Sequence, residues 1–411
     1  MRGLRSLFVI LAAVALSSCA SYSSRVEEPR RNFERGLYDF AVSEFKELVE
    51  RNDNDQLLYL MDLGLVYHTA GRYTDAIETF LKAEKVAELK DYTSITQEAG
   101  SVVFSDEVKP YKGEDFEKIL INVYLAIDYT LLHKWEDALV ECRRVNHKLD
   151  MLIAQGAQPY DHNAFAKYLA ASLFEARNEL NDAFVDYRTV AKWVGSFPYL
   201  GSALLRMSDR LRASQEFSEF RAQYPGENKF KVGKNEGQII LLLEQGNVPI
   251  KVPHPNFNLI PHFQKRSYGD AFVYLSIDNG AQRIKTFPLF DIENTAIREL
   301  DQKIAKITAK KIGGVVVKEV IADQVAKQTN SEALGLLTSF VLHATDSADL
   351  RSWSTLPARL QLARAIVPAG RHDLTLDMVS SFGAEQKAVK RWTGVEVKPG
   401  ETVFLDYRSS R

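Results

Sequence analysis

The feature that most constrains this chain is a set of small and aromatic residues that recurs through its first half. The clearest copy consists of Leu60, Leu63, Gly64, Tyr67, Gly71, Tyr73, Ala76, Phe80 and Ala83. Small residues such as Gly64 and Ala76 let two antiparallel helices cross closely, and the aromatic residues fill the space around the crossing. The pattern therefore predicts a pair of packed helices.

Weaker copies of the same pattern lie on both sides. Their crossing alanines are Ala41, Ala138, Ala183 and Ala213, and a longer interval near Lys90 to Glu114 predicts an insertion. Together these units resemble the tetratricopeptide family, whose period is about 34 residues. The resemblance implies a helical solenoid over residues 32–228, with a concave face that binds partners and with no catalytic function.

The resemblance also indicates which side chains would line that concave groove, because they come from the first helix of each pair. The predicted partner-binding residues are Leu58, Met61, Leu65, Val123, Ile127, Phe165 and Tyr168. They are apolar, so we expect the groove to accept an apolar helix or strand of an envelope protein. The alternative is that the chain fills its own groove, either with the insertion or with residues of its second half.

The second half, residues 229–411, changes character. The apolar run from Gln238 to Glu244, the stretch from Ala271 to Ile277 and three C-terminal stretches are rich in strand-forming residues and are separated by turn sequences. Helical spacing of apolar residues appears in 291–328. We therefore predict an α+β protein, with an all-α solenoid followed by a mixed α/β domain that contains a small antiparallel sheet.

The N-terminus has the order of a secretory signal, with Arg2 and Arg5 ahead of an apolar run too short to span a membrane. Leu16-Ser17-Ser18-Cys19 resembles the lipobox of bacterial lipoproteins. This resemblance implies a signal peptide over 1–18 and lipid on Cys19 as the membrane anchor. By analogy with enteric lipoproteins, Ala20, which is not Asp, favours the outer membrane, with the protein facing the periplasm. Residues 19–31 are polar and predict a flexible tether.

The remaining residues give little sign of chemistry. A formal net charge of −2 gives no reason to expect nucleic acid as a partner. None of the familiar catalytic or phosphate-binding motifs occurs, and the loop histidines His254 and His262 have no third ligand nearby in sequence, so we expect no catalytic residue, metal or cofactor. Cys142 is predicted to be a small buried apolar residue and not a nucleophile. The run from Asp349 to Trp353 could be a binding site, but we favour a buried polar corner in which Asp349 and Arg351 satisfy each other or nearby backbone.

The lipobox, the repeats, the run from Ala348 to Ala358 and Val367-Pro-Ala-Gly370 together resemble an uncharacterised family of repeat-containing bacterial lipoproteins. That family has no agreed activity, so the resemblance does not settle the function. By analogy with other repeat-bearing lipoproteins, we expect a non-enzymatic scaffold for cell-envelope assembly. Two alternatives stay open at this point. The chain could regulate a peptidoglycan synthase by reaching through the cell wall, or it could be an enzyme acting on envelope glycans or lipids if carboxylates meet in a C-terminal cleft.

Overall fold

A computed structural model describes residues 22–95, 110–154, 163–255, 257–266, 270–311, 348–380 and 382–409. Within these ranges the first half is helical. Its helices are α1 (Tyr22–Glu34), α2 (Tyr38–Glu50), α3 (Gln56–Thr69), α4 (Tyr73–Ile95), α5 (Asp115–Leu131), α6 (Trp135–Ala154), α7 (Ala164–Ala176), α8 (Leu180–Val194), α9 (Leu200–Arg210) and α10 (Ser214–Gln223). Each helix packs on the next one along the chain, which gives a solenoid of antiparallel pairs.

The predicted close approach of α3 and α4 is present. A Cβ atom added at Gly64 would lie 2.6 Å from the ring of Phe80, so no larger residue fits without movement. Ala76 and Phe80 are fully buried on the same face of α4. The small residues of the repeat therefore do what their pattern predicts, and the fold class expected from the sequence is confirmed.

Strands dominate the second half. They are β1 (Glu236–Gln245), β2 (Ile250–His254), β3 (Phe257–Gln264), β4 (Asp270–Ile277), β5 (Gln282–Lys285), β6 (Phe287–Asp291), β7 (Arg359–Pro368), β8 (Gly370–Ser380), β9 (Glu385–Val397) and β10 (Thr402–Ser409). Helix α11 (Ile292–Lys311) follows β6. The rest of the predicted helical stretch, residues 312–328, falls outside the described residues.

The strands form two four-stranded sheets and a separate β2–β3 hairpin. The first sheet has the order β10-β1-β7-β6, and its β1–β10 pair is parallel. The second sheet, β5-β4-β8-β9, is antiparallel throughout. Side chains from one face of each sheet form a common apolar core that includes Leu241, Leu275 and Leu376. The second half is thus built around a β-sandwich.

The first sheet is covered on both faces, and strand β1 shows how. Ile239, Leu241 and Leu243 face the interior of the sandwich, whereas Ile240 and Leu242 belong to the core of the solenoid. Alternate residues of a strand point to opposite faces, so an uninterrupted apolar run is what a doubly buried strand requires. The described residues are therefore arranged in three layers: the second sheet, the first sheet and the helices.

The N-terminal region differs from the prediction in one respect. Residues 22–31 are part of helix α1 and do not form a flexible tether, because Tyr22 and Val26 are buried against the rest of the protein. The solenoid accordingly begins ahead of the predicted residue 32. Among the described residues, no helix combines the length and the apolar character needed to cross a bilayer. Cys19 and the signal segment lie outside the described residues.

Candidate functional site

The first helices of three repeat pairs, α3, α5 and α7, meet the first sheet and the segment 348–358 along one long contact, which we call the seam. Arg206 of α9 joins the seam through Glu175 of α7. Buried polar side chains are concentrated along it. Helices α3 and α5 are buried around most of their circumference, with Leu58 and Leu125 fully covered. A surface helix normally buries one stripe, so these helices must be covered on a second side. The seam provides that cover.

At one end of the seam, the segment 348–358 inserts between the helices. The Trp353 ring contacts Phe80 and Tyr124, with centroids 5.9 and 5.8 Å away. Arg351 donates to both oxygens of Asp349 at 2.9 Å and to Asp55 of the solenoid at 3.0 Å. The predicted Asp349–Arg351 pairing is therefore confirmed, and it also ties the two halves together.

Asp62 in α3 accepts hydrogen bonds from the same segment, 348–358. Its Oδ1 accepts hydrogen bonds from the backbone and hydroxyl of Thr355, at 3.2 and 2.8 Å. Its Oδ2 accepts from the Tyr22 hydroxyl at 3.1 Å, and this hydroxyl also lies 3.2 Å from the Ser352 carbonyl oxygen. Complete burial raises the pKa of Asp62 to about 7, because the charged form loses its hydration.

The middle of the seam contains a histidine enclosed by acids. His68 Nδ1 lies 2.5 Å from Asp128 Oδ1, and Nε2 lies 2.6 Å from Glu244 Oε1 and 3.5 Å from Asp406 Oδ2. Burial alone would lower the pKa of His68, but the carboxylates around it raise that pKa well above its ordinary value. Arg408 donates to the second oxygen of Glu244 at 3.0 Å.

The far end of the seam is closed by one glutamate between two arginines. Glu175 in α7 accepts from Arg206 at 2.6 and 3.0 Å and from Arg364 of β7 at 2.7 Å. Arg364 also donates to the Tyr187 hydroxyl at 2.6 Å and to Gln238. Burial opposes ionisation of Glu175, yet the two guanidinium groups hold its pKa well below the ordinary value.

The residues predicted to bind a partner lie in this seam, and they are not open to one. All seven side chains have an exposed fraction of 0 or 1 %: Leu58, Met61, Leu65, Val123, Ile127, Phe165 and Tyr168. They form a continuous core with Ile240, Leu242 and Trp353 of the second half. The interpretation of these residues as an open groove is therefore corrected. The groove is filled by the chain itself, as the alternative reading of the sequence allowed.

The cysteines and loop histidines considered in the sequence analysis lie in different parts of the molecule. Cys142 is a buried free cysteine, which confirms its assignment as a packing residue, and burial raises its pKa to about 12. His254 and His262 stack edge to face with centroids 5.5 Å apart on the β2–β3 hairpin. The lipidation residue Cys19 lies outside the described residues. Apart from Asp349 and Arg351, the buried acids and arginines of the seam were not identified from the sequence, because their partners are far apart in the chain.

Comparison with known proteins adds little to this description. No protein-family model and no curated protein matches the chain. Among solved structures, MamA from Desulfovibrio magneticus RS-1 is similar at 15% identity, covering 50% of this chain and 96% of that one with a TM-score of 0.33. A tetratricopeptide repeat protein from Parabacteroides merdae is similar at 15% identity over 50% and 68% of the two chains, with a TM-score of 0.33. Such distant likeness carries no functional argument.

Proposed function

We propose that this chain is a lipid-anchored, non-enzymatic interaction scaffold that faces the periplasm from the outer membrane of a bacterium. The observation that carries the proposal is the position of the folded body relative to Cys19. Only Ala20 and Ser21 separate the lipobox cysteine from Tyr22, which begins α1 and is buried against the seam. A lipid on Cys19 would thus be joined almost directly to the folded protein.

This short connection favours a task at the membrane surface. Three peptide units span about 10 Å when fully extended, so the body would stay close to the headgroups. A regulator that must reach through the cell wall needs a longer tether than this. We therefore place an envelope-assembly scaffold ahead of a regulator of a peptidoglycan synthase.

The enzyme alternative required carboxylates in a C-terminal cleft. Glu244 and Asp406, with Asp128 of the solenoid, do cluster, but they are enclosed within the seam. A cavity of about 360 Å³ opens elsewhere, where Tyr199 and Arg206 face strand β7. The cluster and this cavity therefore do not form the acidic cleft that a glycosidase-like mechanism requires.

Since the groove is filled, we infer that a partner protein docks on the outer surface of the solenoid. The second helices of the pairs form that surface, and two of them expose a valine at corresponding positions. Val140 of α6 and Val185 of α8 each lie two residues after a crossing alanine, and Val185 is 60% exposed. Repeat solenoids bind partners through extended surfaces of this kind.

The anchor is tested with Cys19→Ser and with Cys142→Ser as the matched control. Lipid attachment requires the thiol, so we expect Cys19→Ser to lose labelled palmitate and to leave the membrane fraction. Cys142→Ser should keep both the label and the membrane association. Full labelling of the Cys19→Ser protein would contradict the lipoprotein proposal.

The scaffold function is tested by placing a photo-crosslinking residue at Val185, and in a second variant at Val140, in living cells. The matched control carries the same residue at Phe382, which is almost fully exposed on the β8–β9 turn. We expect a discrete protein adduct from Val185 and none from Phe382. In a separate experiment, Val185→Asp should abolish copurification of the crosslinked partner without changing the melting temperature of the scaffold. If neither Val140 nor Val185 yields an adduct, the outer surface of the solenoid is not the docking surface.

A further inference from the structure

The His68 cluster brings together three side chains that are distant in sequence. His68 comes from α3, Glu244 from β1 and Asp406 from β10. Asp406 pairs with Leu242 across the parallel β1–β10 ladder, and residues two apart share a face, so both carboxylates point toward the helices. One nitrogen of the imidazole and one oxygen of each carboxylate lie within 4.8 Å of one another.

The charges within this cluster do not balance. Three carboxylates, those of Asp128, Glu244 and Asp406, face two cationic groups, His68 and Arg408. With all three carboxylates ionised, one negative charge is left over even when the imidazole is fully protonated. An unbalanced charge in the interior is costly, and proteins normally compensate it with a proton or a cation.

Two carboxylate oxygens of this cluster are buried without a hydrogen-bond partner, which favours a bound cation. Asp406 has a side chain that is only 6% exposed, and its Oδ1 atom is buried without a hydrogen-bond partner. The second oxygen of Asp128 is also buried without a partner. Buried polar atoms are rarely left in this state. The partnerless oxygen of Asp406 belongs to the carboxylate that lies beside the imidazole.

We propose that His68 Nε2, Glu244 and Asp406 bind a divalent transition-metal ion of the Zn²⁺ class, which fastens the sandwich to the solenoid. Asp128 would accept the Nδ1–H of a neutral His68 and so direct the Nε2 lone pair at the ion. Metal-binding histidines are commonly oriented in this way by a carboxylate. A divalent ion in place of the imidazolium proton also balances the three carboxylates together with Arg408.

Of the two separations between His68 Nε2 and the carboxylate oxygens, one already fits such an ion and the other has to widen. Bonds of about 2.1 Å in a tetrahedral site put ligand atoms about 3.4 Å apart. The separation between His68 Nε2 and Asp406 Oδ2 is 3.5 Å, whereas the 2.6 Å separation between His68 Nε2 and Glu244 Oε1 would have to open by about 0.8 Å to reach the tetrahedral value. Mixed imidazole and carboxylate ligands favour transition metals over Mg²⁺ and Ca²⁺, which prefer oxygen alone.

Because the ligands are enclosed, the ion has to enter before the seam closes. The test therefore unfolds the full chain in chelator and denaturant, removes any metal, and refolds it with Zn²⁺, Mg²⁺ or no metal. After desalting, we expect about one Zn²⁺ per chain and no Mg²⁺, together with a higher melting temperature for the Zn²⁺ sample.

Asp406→Asn removes one proposed ligand with little change in shape. Its matched control is Asp278→Asn, which removes a carboxylate from the separate His372–Asp278 pair. We expect Asp406→Asn to lose the retained Zn²⁺ and the thermal shift, while Asp278→Asn keeps both. Equal retention by the two variants, or no Zn²⁺ in the refolded wild type, would overturn the site.

If Asp406→Asn fails to refold, Co²⁺ in the wild-type chain decides the question. A visible absorption of Co²⁺ bound to nitrogen and oxygen ligands supports the site, and its absence overturns it. Neither outcome affects the anchor or docking tests, since those depend on Cys19 and on the outer helices.

Discussion

Glu175→Gln should be the most damaging conservative substitution in the seam. Glu175 is the shared counter-charge of Arg206 and Arg364, and all three side chains are at most 3% exposed. Glutamine keeps the size of the side chain but removes its charge. Two guanidinium groups would then remain in the interior without a carboxylate.

The expected cost follows from the burial of this triad. Removing one member of a buried, hydrogen-bonded ion pair destabilises a protein by about 3–5 kcal/mol, mostly because the remaining charge is left uncompensated. An exposed pair contributes about 0–1 kcal/mol. Glu136→Gln, which removes an exposed partner of Arg177, is therefore the matched control, with an expected cost below about 1 kcal/mol.

The free energies of unfolding are compared by urea denaturation, followed by circular dichroism. The double variant Glu175→Gln/Arg364→Gln should cost less than the sum of the single variants, since residues of one network couple by about 0.5–3 kcal/mol. The pKa of Glu175 is lower in the folded state than in the unfolded state. The contribution of ionised Glu175 to the free energy of unfolding is therefore fully present above the unfolded-state pKa and is lost as the pH falls below it. The difference between wild type and Glu175→Gln should therefore narrow below about pH 4.

A loss no larger than that of the Glu136→Gln control would refute this reasoning. It would mean that the two arginines reach water or another acceptor, and hence that the seam is open in solution. Additive costs in the double variant would likewise show that Arg364 does not depend on Glu175.

Three further predictions test the packing and the charges. Gly64→Ala should cost about 1–3 kcal/mol, because the new Cβ would lie 2.6 Å from the Phe80 ring, whereas exposed Asp75→Ala should leave the melting temperature unchanged. Leu65→Glu should unfold the solenoid as judged by circular dichroism, since it buries a lone charge; a folded variant would mean that the groove is open. Glu114→Gln should cost about 1–3 kcal/mol at neutral pH. Burial opposes ionisation of Glu114, but two lysines hold its pKa at about 2. In thermal melts of wild type and variant run in parallel, the stability difference should therefore shrink as the pH falls from about 4 toward 2. A stability difference that stays constant over this range would contradict the prediction.

The sequence was informative wherever a structure depends on neighbours in the chain. Gly64, Ala76 and Phe80 lie within two consecutive helices, so their spacing alone predicts the crossing. The same holds for Asp349 and Arg351, which are two residues apart and pair as expected. The apolar run of β1 also contained the signal of a strand buried on both faces. That signal shows that both faces of the strand must be covered, but by itself it does not identify the covering element.

The seam could be known only from the tertiary structure. Leu65 and Ile127 form an apolar row whether a foreign peptide or the chain's own sheet covers them, because hydrophobic burial depends on area and does not specify the partner. His68 and Glu244 are neighbours even though 176 positions separate them in the chain. The pairing of buried charges is set by distances of a few ångströms, and periodicity along the sequence carries no information about contacts between domains. Sequence therefore determined the repeat, whereas the fold determined which charges meet inside it.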